Sequence, residues 1–341
     1  MSQSEPQPTP VPRIVAAAGG LAVVLAVVVL AFSWPSVTAE PRDVPIGITG
    51  PEPAVAAVES NIEAASPGAI AFEPYADRGA AVRGIETREV YAAIVLGENP
   101  ELLTASAASP VVTQLVTGLG AQLERGLQAQ PGAGAVTLTV TDVVPLSSDD
   151  PRGTGFTAAM FPLLLGGMIG GIGISVAVVG ALRRVLAVAV YAVVGGLVLT
   201  AVLQSWFGSL QGNWGLNALA IALTITAIAA PITGLVAILG RPGIALGPVL
   251  FMLIANPISG ATLAPQFLPG PWGAIGQWFP PGASATLLRD LSYFPAADAT
   301  LPWLVLALWA AAGLVLSVVG HVNAGRTVEG AARDTAAVPA A

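Results

Sequence analysis

Apolar residues run almost unbroken from Ile14 to Trp34, and the pattern predicts a helix long enough to cross a bilayer. Pro35 ends this run, and until about Gly155 the pattern is different. Val44, Ile46 and Ile48 alternate with their neighbours, as in a strand. Val55, Val58 and Ile62 share one helical face. The stretch AIAFE reads as a strand, RGAAVRGIETRE as a short helix, VYAAIVL as a buried strand and ELLTASA as another. Ser109 and Pro110 then open a helix, Ser as cap and Pro in the first turn. Its apolar face is Val112, Leu115, Val116, Leu119, Leu123 and Leu127. Val136, Leu138 and Val140 alternate with threonines and predict a half-exposed strand. Strands alternating with helices imply one α/β domain over 35–155. Five further apolar runs follow, about Phe156–Leu182, Val185–Phe207, Leu216–Leu239, Gly243–Leu263 and Pro302–His321. The expected fold is therefore an all-α membrane bundle of six transmembrane helices, with an extracytoplasmic α/β domain inserted between helices 1 and 2.

Composition sharpens this picture. Hydrophobic residues make up 54% and charged residues 10% of the 341, far from the quarter charged of a soluble domain. The chain has no Cys and no Lys, which excludes thiolate chemistry, cysteine metal sites, Schiff bases and a Walker A loop. The single histidine, His321, ends the last apolar run, where an amphipathic ring suits the membrane surface. No enzyme activity, metal or cofactor is expected, and the net charge of −7 gives no nucleic-acid footprint. Asp149-Asp150 could hold a cation, but reads first as part of a solvated linker.

Arginine position predicts topology. Arg13, Arg183, Arg184, Arg241, Arg326 and Arg333 fall at one set of span ends, and the short loops at the other end hold only Arg289. By the positive-inside rule both termini are cytoplasmic in the cell (inner) membrane, with tails at 1–13 and 323–341. Helix 1 (14–34) is read as retained; cleavage of a signal peptide after Ala39 is the rival. Glycines Gly166, Gly167, Gly170 and Gly171 form small-xxx-small pairs, suited to packing within the chain's own bundle or to a dimer seam. Pro231, Pro248 and Pro257 are expected to interrupt the fourth and fifth spans, either as kinks or as a break lining a conduit.

The loop at 264–301 is rich in proline and aromatics. Within it, Leu287, Leu288, Leu291 and Phe294 share one helical face and Thr286, Arg289, Asp290 and Tyr293 the other. This predicts a short helix in the outer membrane interface with its charged pair facing water. As an outer gate it would use Arg289, Asp290, Leu287 and Leu291; the plainer reading pairs Arg289 with Asp290 or with an acid of the α/β domain.

The stretch NPISGATLAPQFLPGPWGAIGQWFPPGASATLLRDLSYF resembles the outer loop before the last span of type-2 ABC exporter permeases, nearest the actinobacterial Pip-like (phage infection protein) group. DRGAAVRGIETREVYAAIVLG, VTDVVPLSSDDPRGTGF and FPLLLGGMIGG resemble other parts of that group, from about Pro45 to Gly320. The resemblance implies a permease that pairs with itself or with a similar permease in the lipid membrane. It also implies export driven by a separate ATPase subunit touching Arg183, Arg184 or Arg241. The chain departs from the family where it has a proline-rich tail before span one, and only Arg183-Arg184 between spans two and three. A non-transporting envelope protein whose outer domain binds a partner is the alternative. The absence of buried charge in the spans points to a hydrophobic or amphipathic cargo.

Overall fold

A computed structural model describes residues 9–128 and 137–336, the side chains of Leu127 and of residues 322–336 excepted. Residues 1–8 of the proline-rich tail, Val136 of the expected alternating strand and the last five residues of the C-terminal tail lie outside the described residues. The fold is mostly helical. Five helices are long and apolar enough to cross a membrane, which marks a multi-pass membrane protein: α1 (Val11–Val37), α5 (Thr154–Ala177), α6 (Ala181–Trp206), α7 (Trp214–Leu239) and the Thr300–His321 part of α11 (Thr300–Ala336).

Between α1 and α5 the chain builds a mixed sheet of β1 (Val44–Thr49), β2 (Ile70–Pro74), β3 (Ala92–Val95), β4 (Glu101–Thr104) and β5 (Thr139–Asp142), in the order β2-β1-β3-β4-β5. Only β3 and β4 run antiparallel. Helices α2 (Glu52–Ala65) and α4 (Pro110–Gln128) cover one side, packing Val58, Ile62, Val112 and Val116 against Ile46, Ile48 and Ile94. Helix α3 (Arg78–Glu86) packs Ala81 and Ile85 with Ala93 and Leu103. The Ser109 cap is present, since the Val112 N–H donates to its hydroxyl at 3.3 Å. The β5 expectation fails in part. Leu138 is buried, but Val140 is 52% exposed, because β5 is short and bonded on one side only among the described residues.

Helix α7 is the centre of the bundle, contacted by α5, α6, α10 (Pro280–Tyr293) and α11. Asn213 caps it, accepting from the Leu216 N–H at 3.0 Å, and Gly240 at φ 67 closes it. Contrary to expectation, Pro231 does not interrupt this helix. The proline is buried inside it, and Gly313 of α11 leaves room for backbone to lie against it. Pro248 instead marks the point where α8 (Pro242–Ala255) widens from α to π geometry. Helix α8 has 14 residues, about 21 Å at 1.5 Å per residue, against about 30 Å for a full span. The chain turns at Asn256-Pro257, leaving residues 257–263 of the expected fifth span non-helical. It returns through α9 (Trp272–Gly276) and α10.

Helix α10 also differs from expectation. It is buried among α7, α11, α5 and α8 rather than lying on a surface, and ten of its residues are inaccessible. Its first residues, Pro-Pro-Gly-Ala-Ser-Ala, are small enough for close approach on every side. Leu287 and Leu288 face the bundle core, whereas on the polar side Asp290 meets Arg88 of the α/β segment, Arg289 the Phe156 ring of α5, Thr286 the Gln277 side chain and Tyr293 the Ser209 carbonyl. Phe294, expected beside the leucines, joins the α/β core with Ile85 and Leu103. The amphipathic pattern thus separates two protein environments.

Candidate functional site at the junction of sheet and bundle

The α/β segment and its linker meet the bundle at α10, at the loop around Gln266 and Phe267, and at the turn after α6. Arg88, just beyond α3, donates to and ion-pairs with Asp290 of α10, and its guanidinium lies 5.4 Å from the centre of the Phe294 ring. The Tyr91 hydroxyl donates to Gln266 Oε1 at 2.9 Å, and Arg42 donates to the Phe267 carbonyl at 3.3 Å. Tyr293 donates to the Ser209 carbonyl at 3.0 Å, and Gln211 to the Ser147 hydroxyl at 3.1 Å. Asp290 is 4% exposed, so its carboxylate is removed from water and faces Arg88.

This junction holds a cavity of about 460 Å³ that opens at Arg152, and its wall includes Arg88, Tyr91, Thr157, Arg289 and Asp290. A second cavity of about 450 Å³ adjoins it; Thr157, Gly260, Thr262 and Leu263 line both. The second lies between the end of α1, at Phe32 and Ser36, and the start of α5, at Met160 and Phe161. It exists because α1 stands at the edge of the bundle and touches it near one end, through Phe32 on Phe161 and Trp34 on Trp272.

The sequence-predicted residues fall in three places. Arg289 and Asp290 are at the junction, with Leu287 fully buried and Leu291 packed against the same core. The pair does not face water, and Arg289 does not pair with Asp290, whose carboxylate is engaged by Arg88. Arg289 instead lies over the Phe156 ring at 4.9 Å. Arg183, Arg184 and Arg241 are at the opposite bundle end. There Arg184 donates to the Val178 and Ser175 carbonyls at 2.8 and 3.0 Å, closing the end of α5, and Arg183 and Arg241 are exposed. The glycines pack inside the bundle. Gly167 meets Ile228 and Gly171 meets Ala229 of α7, while Gly170 lies under Tyr191 of α6, whose hydroxyl donates to the Gly166 carbonyl at 2.7 Å.

Asp150 is buried and caps α5, accepting from the Phe156 N–H at 3.0 Å. No group of three or more His, Asp or Glu side chains is placed to hold a metal among the described residues. Sequence reasoning missed Arg88, Tyr91 and Arg152. Arg88 sits in a charged stretch, Thr-Arg-Glu, that reads as solvated surface, and no local pattern marks its reach to α10. No protein-family model, curated protein or solved structure matches this chain.

Proposed function

We propose that the chain is the membrane permease subunit of an ABC-type exporter, moving a hydrophobic or amphipathic substrate outward with a separate ATPase chain. The observation that carries this reading is the pair of adjoining cavities. One opens at the bundle edge between α1 and α5, and the other lies under the α/β segment. An amphipathic molecule needs such a route, apolar at its membrane side and polar where it leaves. In this reading six segments cross the inner membrane, α8 with the returning α9 and α10 serving as the fifth. The α/β segment is outside and both termini are cytoplasmic. The permease works as a dimer with itself or with a similar chain, and the ATPase docks at the Arg183 and Arg241 end.

A second reading, a non-transporting envelope protein that binds a partner through the α/β segment, is favoured by one observation. The connections at the arginine end are short, residues 178–180 and 240–241, and leave little surface for a docked ATPase. Affinity purification in mild detergent tests both. An ATPase should accompany the native chain and be lost from the double variant Arg183→Ala, Arg241→Ala at unchanged thermal stability. Absence of any ATPase from the native preparation would favour the second reading.

A further inference from the structure

The junction cavity carries more positive charge than the fold neutralises. Of its three arginines, Arg88 is matched by Asp290. The other acid on the wall, Asp298, accepts from the Thr300 N–H at 2.9 Å and caps α11; with three arginines against two aspartates, the wall keeps one positive charge in excess. Arg152 and Arg289 have no ion pair and no side-chain hydrogen bond among the described residues. Arg152 is exposed at the rim, and Arg289 is held deeper by the Phe156 ring. A guanidinium presents planar, forked donors that fit a phosphate or carboxylate, and one removed from water gains most from such a partner. Thr154, Thr157 and Thr286 line the same wall, but their hydroxyls donate to Asp150, to the Gly153 carbonyl and to Gln277, which leaves the arginines as the anion-binding donors. Across Thr157 and Gly260 the apolar cavity begins, walled by Phe32, Met160, Phe161 and Leu268.

We propose that the junction binds an anionic amphiphile with a phosphate-type head, the head at Arg289 and Arg152 and the hydrocarbon chain in the cavity between α1 and α5. Each cavity lies within the roughly 300–1,000 Å³ of small-molecule sites. The proposal names the cargo class of the exporter reading and rests on it only for the direction of movement. Binding is measured on the purified chain with no ATPase present, so either can fail alone.

The test uses the full chain in a neutral maltoside detergent, with dodecyl phosphate as probe and native mass spectrometry as readout. Inorganic phosphate supplies the head alone, and octaethylene glycol monododecyl ether the chain alone. Dodecyl phosphate should bind saturably and more tightly than either. Arg289→Gln and Arg152→Gln should each weaken it by about tenfold or more, the loss expected for a charge-assisted hydrogen bond. Ser36→Trp, at the mouth of the apolar cavity, should weaken dodecyl phosphate at unchanged thermal stability. Inorganic phosphate binding as tightly as dodecyl phosphate would make this a free-anion site and overturn the proposal. So would equal binding of the ether, undiminished binding by both arginine variants, or undiminished binding by Ser36→Trp.

Discussion

Replacing Arg88 tests how the α/β segment is held to the bundle. Arg88 has φ 62, a left-handed conformation that costs a residue with a Cβ about 1–2 kcal/mol and glycine almost nothing. It follows α3, where glycine is the usual occupant. The arginine holds that backbone while its guanidinium spans to Asp290, a carboxylate 4% exposed. Removing one member of a buried pair costs about 3–5 kcal/mol, because the other is left charged and dry. The Arg88 side chain is 17% exposed, so water reaches the pair and the lower end, about 3 kcal/mol, is the better figure. Arg88→Ala loses the pair and keeps the strain. Arg88→Gly loses the pair and releases the strain, so it should be the milder change by about 1 kcal/mol. In an Asp290→Asn background Arg88→Ala should cost less than half as much, since no lone carboxylate remains. Thermal unfolding of the purified protein in detergent, followed by a fluorophore on the α/β segment, measures all four. Equal losses for the glycine and alanine variants would refute the backbone argument, and strictly additive losses with Asp290→Asn would refute the pair.

Two further predictions concern other parts of the chain. A Cβ at Gly171 would meet Ala229 and Ile232 of α7 at 3.0 Å, whereas one at Gly173 meets nothing within 4 Å. Gly171→Leu should therefore destabilise the protein by about 1–3 kcal/mol and Gly173→Leu should be neutral, which thermal unfolding of the two variants will show; equal effects would deny the α5–α7 seam. Glu101 accepts from Arg78 at 2.5 and 2.9 Å and from Thr141 at 2.6 Å, and the Arg78 hydrogen bond holds its carboxyl below the ordinary 4.5. A depressed carboxyl contributes stability in full above about pH 4.5 and loses it as pH falls through the folded value, so the difference between native protein and Glu101→Gln should shrink in acid. A difference constant from pH 7 to pH 3 would show that the bridge is not its source.

What the sequence disclosed depended on which environments a pattern can encode. The α/β elements were legible because Val44, Ile46, Ile48 and the α4 face repeat with one period against a single core. The five long helices were legible for a different reason, apolar runs long enough to cross a bilayer. Helix α8 was not, since Ile258 and Leu263 extend its apolar run past the turn at Asn256-Pro257. An apolar run records burial, and residues folding back into a bundle are as buried as residues crossing it. The α10 pattern misled in a related way. Leu287 and Arg289 differ in polarity because one meets the bundle core and the other a polar cavity, and sequence cannot distinguish that cavity from bulk water. The Arg88–Asp290 pair joins residues 202 apart in the chain, and no periodicity spans that distance.

Arg289 is the residue whose position the fold alone explains least. It is half-buried, and its guanidinium has no ion pair and no side-chain hydrogen bond among the described residues. The Phe156 ring contributes about 1 kcal/mol. A methionine of similar length would fill the same space against Phe156 with no charge to desolvate. Against a methionine the arginine thus brings a charge to desolvate with no carboxylate to pair it among the described residues, while Arg88 is matched by Asp290. An anion entering the junction would reverse that balance. The unfavourable charge of the empty site would become a charge-assisted contact in the occupied one, and the energy released would tie the α/β segment, α5 and α10 to a single bound molecule.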